Sequence, residues 1–146
     1  MIGIAALLLA NAASASNWLP LNSPSPAVAR GFDAASVRRD GDVVTFDAVF
    51  AARDFDSQTQ RFTSERMVAP VRLNCRSWNV TIGAGRIQGG DGSMIGSDGK
   101  AQPAHEADPD EWQQACGHGA FGKGATTVEA FLNRQWPPDP GHGRAW

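Results

Sequence analysis

No stretch of this chain is apolar for long enough to cross a bilayer, which takes roughly 20 residues. The longest candidate, Ile2 to Ala10, falls well short. Positive charge is equally sparse. There are 13 Lys and Arg against 15 Asp and Glu, for a net charge of −2. The densest basic spot, Arg38-Arg39, is followed at once by Asp40 and Asp42. A phosphate backbone requires an electropositive stripe, so nucleic acid is not an expected partner. Internal repeats are absent. Cysteine is nearly so: Cys75 and Cys116 are the only two among 146 residues, and they allow one pairing.

What is present begins with the leader-like start. The apolar run Ile2–Ala10 has the length of a signal-peptide core, and Ala13-Ser14-Ala15 supplies an A-x-A cleavage signature, with Ala10-Asn11-Ala12 as a second. No Lys or Arg precedes the run, so only the α-amino group supplies positive charge there. No Cys follows it, so lipid anchoring is not expected. Residues 1–16 are expected to be a signal peptide. Export makes a Cys75–Cys116 disulfide the expected state of the two thiols. Closing a loop of that size contributes on the order of 4 kcal/mol in the chain-entropy treatment.

Sixteen Gly and nine Pro tilt the chain toward turns. "NWLPL" (17–21) and "AVARGFD" (27–33) are strand candidates separated by a Pro-rich turn. "DAASVRRDGD" (33–42) holds a short turn or a single helical turn and ends in the Asp-Gly hairpin signal. In "DVVTFDAVFA", Val44, Phe46, Ala48 and Phe50 share one face, at the period of a strand. "ARDFDSQTQRFTSE" (52–65) is polar and reads as a connection. "MVAPVRLNC" alternates again, with Met67, Ala69, Val71, Leu73 and Cys75 on one face; Pro70 predicts an edge position or a bulge. Trp78, Val80 and Ile82 fall on the opposite parity, which a bulge or tight turn at Arg76-Ser77 would correct. Residues 89–110 are glycine-rich and polar, predicting a long hairpin or loop.

Two helices close the chain. Asp108-Pro109-Asp110-Glu111 offers an N-cap, Pro at the first helical position and acidic residues, with Gly117 as the stop. Thr126-Thr127-Val128-Glu129 is a second capping signal, followed by Val128, Phe131, Leu132 and Trp136 at helical spacing. Pro137-Pro138 ends that run before a tail expected to be disordered.

Motifs that carry chemistry are few. "GHGAFGKGATT" (117–127) imitates a phosphate-binding loop, yet Gly124 stands where a magnesium-binding Ser or Thr is required. It also follows a helix signal instead of a buried strand, so it reads as a glycine joint. Gly83-Ala84-Gly85 lacks the third glycine of a dinucleotide loop. "DGSMIGSDGKAQ" (91–102) puts Ile95 at a ligand position of a calcium loop and Gln102 at its closing glutamate. Cys116, His118 and His105, with Glu106 nearby, are the residues of an alternative metal-binding or enzymatic reading.

Three landmarks in order resemble the surface-adhesin protein E family of exported bacterial proteins. They are Trp18 in the first strand with "GFDAASVRRDGDVV" (31–44), "VRLNCRSW" (71–78), and "EWQQAC" (111–116). Phe32 or Ala29 stands where that pattern has Tyr, and Tyr is absent throughout. The resemblance covers about residues 17–116. It implies an α+β fold, an antiparallel meander-like sheet with a C-terminal helix pinned by Cys75–Cys116. It also implies location in the periplasm or on the outer surface of a Gram-negative bacterium, and non-enzymatic binding of a protein, such as a host extracellular-matrix protein. No cofactor is expected. Residues 117–146 then form a glycine joint, an extra helix and a tail beyond the family's domain. A third reading makes the protein a structural envelope module whose extra helix docks on a partner through residues 127–136.

Overall fold

The computed structural model describes residues 15–89, 94–98 and 103–137. The expected leader up to Ser14 and the tail from Pro138 lie outside the described residues. Strands β1 (Trp18–Leu21), β2 (Val28–Asp33), β3 (Arg38–Asp40), β4 (Val43–Asp56), β5 (Arg61–Asn74), β6 (Asn79–Ile82), β7 (Gly85–Gly89), β8 (Met94–Asp98) and β9 (His105–Glu106) form one antiparallel sheet. Helices α1 (Pro109–Cys116) and α2 (Val128–Gln135) complete an α+β fold. The sheet path runs β1-β2-β4-β5-β6-β9; β3 adds to β4, β7 to β5, and β8 to β7.

Side chains alternate across a strand, so the core clusters reveal which face each helix covers. On β4, Val44, Phe46 and Ala48 join Phe32, Val71, Leu73 and Val80 in the cluster that contains Ala115 and Cys116 of α1. Val49 and Ala51 point the other way, into a cluster with Ala29, Phe131, Leu132 and Trp136. The two helices therefore cap opposite faces. Phe131 and Leu132 are 1% and 0% exposed, a burial that stabilises by roughly 1.5–3 kcal/mol per side chain.

Local signals set the element ends. Asp108 caps α1, its carboxylate accepting from the Glu111 amide at 2.8 Å. Thr127 caps α2, accepting from the Ala130 amide at 3.0 Å. Gly41-Asp42 turns the β3–β4 hairpin between the paired Asp40 and Val43, with Gly41 at φ +58°, a conformation open to glycine without a Cβ penalty.

Three expectations change. Residues 52–65 are not a connection: β4 and β5 run on to Asp56 and Arg61, and only Ser57–Gln60 turns. Pro70 is not at an edge, since β5 lies between β4 and the pair β6 and β7. Its carbonyl accepts from the Gly83 amide at 2.8 Å, so its N-side faces the gap where β6 gives way to β7. There a missing N–H removes no ladder bond. In 33–42 the helical turn is Ala34–Ser36, and Arg38–Asp40 after it forms β3, paired with β4 in the expected hairpin. Finally, the stretch after Cys116 is no loose joint. Trp18 and Ala125 exchange both backbone bonds (2.7 and 3.0 Å), and the Asn17 side chain bonds to both Gly122 and Gly124.

Candidate functional site

Beyond Ala52 and Glu65 the β4–β5 hairpin has no flanking strand among the described residues. β2 pairs only as far as Ala52, and β7 only as far as Glu65. The Arg53 amide still donates to the Ala27 carbonyl at 2.9 Å. The three pairs beyond it, Asp54↔Thr63 to Asp56↔Arg61, have no flanking strand among the described residues and at about 3.3 Å per residue extend ~10 Å. Its turn is closed by the Asp56 carboxylate, which accepts from the Gln58 amide (2.8 Å) and the Thr59 amide (3.3 Å), and by Gln60 at φ 56°. Those bonds, the Gln58 amide foremost, hold Asp56 below the ordinary carboxylate range.

Phe55 and Phe62 face each other across the ribbon with ring centroids 5.2 Å apart. They are 52% and 37% exposed, the exposed large apolar side chains of the described residues. The Arg53 guanidinium lies 4.7 Å from the centroid of Phe62 and 5.0 Å from that of Trp136. Trp136 is itself buried at the end of α2, its indole N–H donating to the Pro26 carbonyl at 2.9 Å. Arg53 thus ties the ribbon to the helix-covered body, each cation–π contact contributing about 0.5–1 kcal/mol. An exposed aromatic pair on an anchored support is the arrangement that protein interfaces fill.

At the other helix, Arg30 on β2 reaches Asp108 at 2.6 Å and Glu111 at 3.4 Å. Glu111 is 3% exposed, and desolvation raises its pKa above the ordinary value although Arg30 opposes this. Burial also pushes the Asp108 carboxyl upward, but it is outweighed by the Arg30 hydrogen bond and the Glu111 amide, so its pKa lies below the ordinary range. The cluster fastens the start of α1 to β2. Its end is fastened by the Cys75–Cys116 disulfide, Cα atoms 5.7 Å apart. Beside the bridge, the Trp112 indole donates to the Cys75 carbonyl at 2.9 Å and stacks on Trp78 with centroids 4.8 Å apart.

The metal-binding trio does not assemble. The sulfur of Cys116 is bonded to Cys75 and is no thiolate ligand, while His105 on β9 and His118 after α1 are exposed. Among the described residues no group of three His, Cys, Asp or Glu could hold an ion. The Gly117–Thr127 stretch leaves a helix and uses backbone groups of Gly124 and Ala125 on β1, which is not the geometry of a phosphate cradle. Of the calcium-loop segment, Met94–Asp98 is strand β8, paired with β7. The apolar face of residues 127–136 is not available to a partner, because Phe131, Leu132 and Trp136 pack on the protein's own sheet.

Sequence reasoning missed Phe55 and Phe62. The signal was there in Arg53-x-Phe55 and Phe62-x-Ser64, short alternations flanking an Asp-Ser turn, but it was too polar to register as a strand. No family model, curated protein or solved structure matches the chain. Among the described residues no helix is long and apolar enough to cross a membrane.

Proposed function

We propose that this is an exported cell-envelope protein that binds another protein, without catalysis, through the projecting ribbon. The observation that carries the reading is the exposed Phe55–Phe62 pair, anchored by Arg53 to Trp136. Covering the 52% and 37% of these side chains that are still exposed gains roughly 0.5–1.5 kcal/mol each, a fraction of the full-burial value. The resemblance of residues 17–116 to the surface-adhesin protein E family supports a host extracellular-matrix protein as the partner. A single disulfide joining helix to sheet suits an oxidising compartment such as the periplasm or outer surface.

The test is adhesion of the purified protein to immobilised extracellular-matrix proteins, with F55S/F62S compared against the parent chain. Saturable binding lost in the double variant, with thermal unfolding unchanged, supports the reading. Binding that survives the variant, or none at all, overturns it. Intact mass from an envelope fraction examines export: the leader should be gone and the unreduced form about 2 Da lighter than the reduced one.

A further inference from the structure

Among the described residues the α1 side of the sheet is covered only near the helix, and its far end is a bare trough. Val28, Phe50, Met67 and Ile87 share this face, as their register shows (Phe50↔Met67, Met67↔Ile87, Val28↔Ala52), and all four are half-buried. They line a hollow of ≈ 280 Å³ together with Ala52 and Glu65. Adjoining it, a hollow of ≈ 610 Å³ continues onto the ribbon past Asp54 and Thr63. This is the face opposite Phe55 and Phe62, because side chains alternate along β4 and β5.

Charge is distributed unevenly along the trough. At its inner end Arg30 lies 6.0 Å from the Phe50 ring centroid and is already engaged by Asp108 and Glu111. At the outer end Asp54 and Glu65 are exposed diagonal neighbours, about 7–8 Å apart by the geometry of such pairs. Directly across from them on the same face stand Thr63, Ala52 and Gly89; nearer the tip the same face carries Asp56 and Arg61, so three acids face one cation there. Neither Asp54 nor Glu65 makes an ion pair among the described residues.

We propose that this trough docks an extended segment of a partner protein, an apolar side chain seated among Val28, Phe50, Met67 and Ile87 and a Lys or Arg placed between Asp54 and Glu65. The complementarity gives the segment a polarity: its cation lies toward the ribbon tip, away from Arg30. Phe50 and Asp54 are four residues apart on β4, or about 13 Å, so an extended segment of four or five residues spans the site. The inference stands independently of the aromatic face.

The experiment uses the isotopically labelled full chain and two soluble peptides of equal apolarity, one alternating Val and Leu with Lys, the other with Glu in place of Lys. The basic peptide should shift the amide signals of Val28, Phe50, Asp54, Glu65, Met67 and Ile87, and the acidic one should leave them unmoved. D54N/E65Q should weaken the basic peptide at least ~10-fold and remove most of its salt dependence, while F55S/F62S should leave it unchanged. Equal response to both peptides, shifts that map elsewhere, or no response at millimolar peptide would overturn the proposal. So would concentration-dependent self-association through these residues, which would make a second copy the occupant.

Discussion

Phe131 of α2 packs against the backbone of Gly31 on β2: a Cβ on Gly31 would stand 2.5 Å from its ring and 2.9 Å from the Leu19 carbonyl oxygen. Gly31 is not in the left-handed region, so space alone reserves the position for glycine. G31A should destabilise the protein by about 1–3 kcal/mol in urea unfolding, the usual cost of overpacking. F131L should offset part of that cost, so that the two changes are non-additive. Simple additivity would mean that the Leu19 carbonyl sets the limit.

Reduction of Cys75–Cys116 should be costly, since it releases a loop with a sequence separation of 41. C75A/C116A should lose about 4 kcal/mol relative to the oxidised parent in the same denaturant series. The Trp78–Trp112 stack sits beside the bridge, so tryptophan fluorescence should change in the reduced protein before global unfolding. An unchanged spectrum with an unchanged midpoint would show that the Trp112 bond and the Arg30 cluster hold α1 alone.

Acidity should act on the start of α1 in two opposite senses. Asp108, with its pKa lowered, contributes stability above the ordinary aspartate value of about 3.9 and loses it as the pH falls through the folded-state value. Glu111, with its pKa raised, contributes fully below about pH 4.3 and loses that contribution as the pH rises. E111Q should therefore gain stability relative to the parent between pH 4 and 7. D108A should cost about 1 kcal/mol at pH 7 through the lost helix cap, and should flatten the acid limb. A gain for E111Q on acidification instead would assign control of Glu111 to Arg30 and not to burial.

Trp136 and Phe55 should separate stability from binding. W136A removes a buried side chain and the bond to Pro26, and should cost about 3–5 kcal/mol. F55S, at 52% exposure, should shift stability by less than about 1 kcal/mol. Thermal unfolding of the two variants side by side is the check.

Both helices were legible because their caps are chemical: Asp108 with Pro109, and Thr127, act within one turn. The alternation at Val44–Phe50 and Met67–Leu73 was legible because the α1 face is strongly apolar. The second covered face was not. Its residues on β2 and β4 are small, Ala29, Gly31, Val49 and Ala51, and their partner α2 lies far along the chain. The ribbon escaped for a related reason: past Ala52 neither face is buried, so nothing in the hydrophobic pattern marks Phe55 and Phe62 as strand residues. Trp78, at φ 65°, sits in a turn that parity alone signalled without fixing its geometry.

The register also decides how the molecule answers a pull. β1 begins opposite Asp33, level with Asp47 of β4, so the described start of the chain lies about 30 Å along the strands from the Ser57–Gln60 tip. Ladder bonds lie across the strands, so tension between those two points runs along β1, β2 and β4 and loads the bonds together in shear, not one after another like a zipper. A protein that holds at the ribbon tip and is tethered near Trp18 would resist detachment with whole ladders at once.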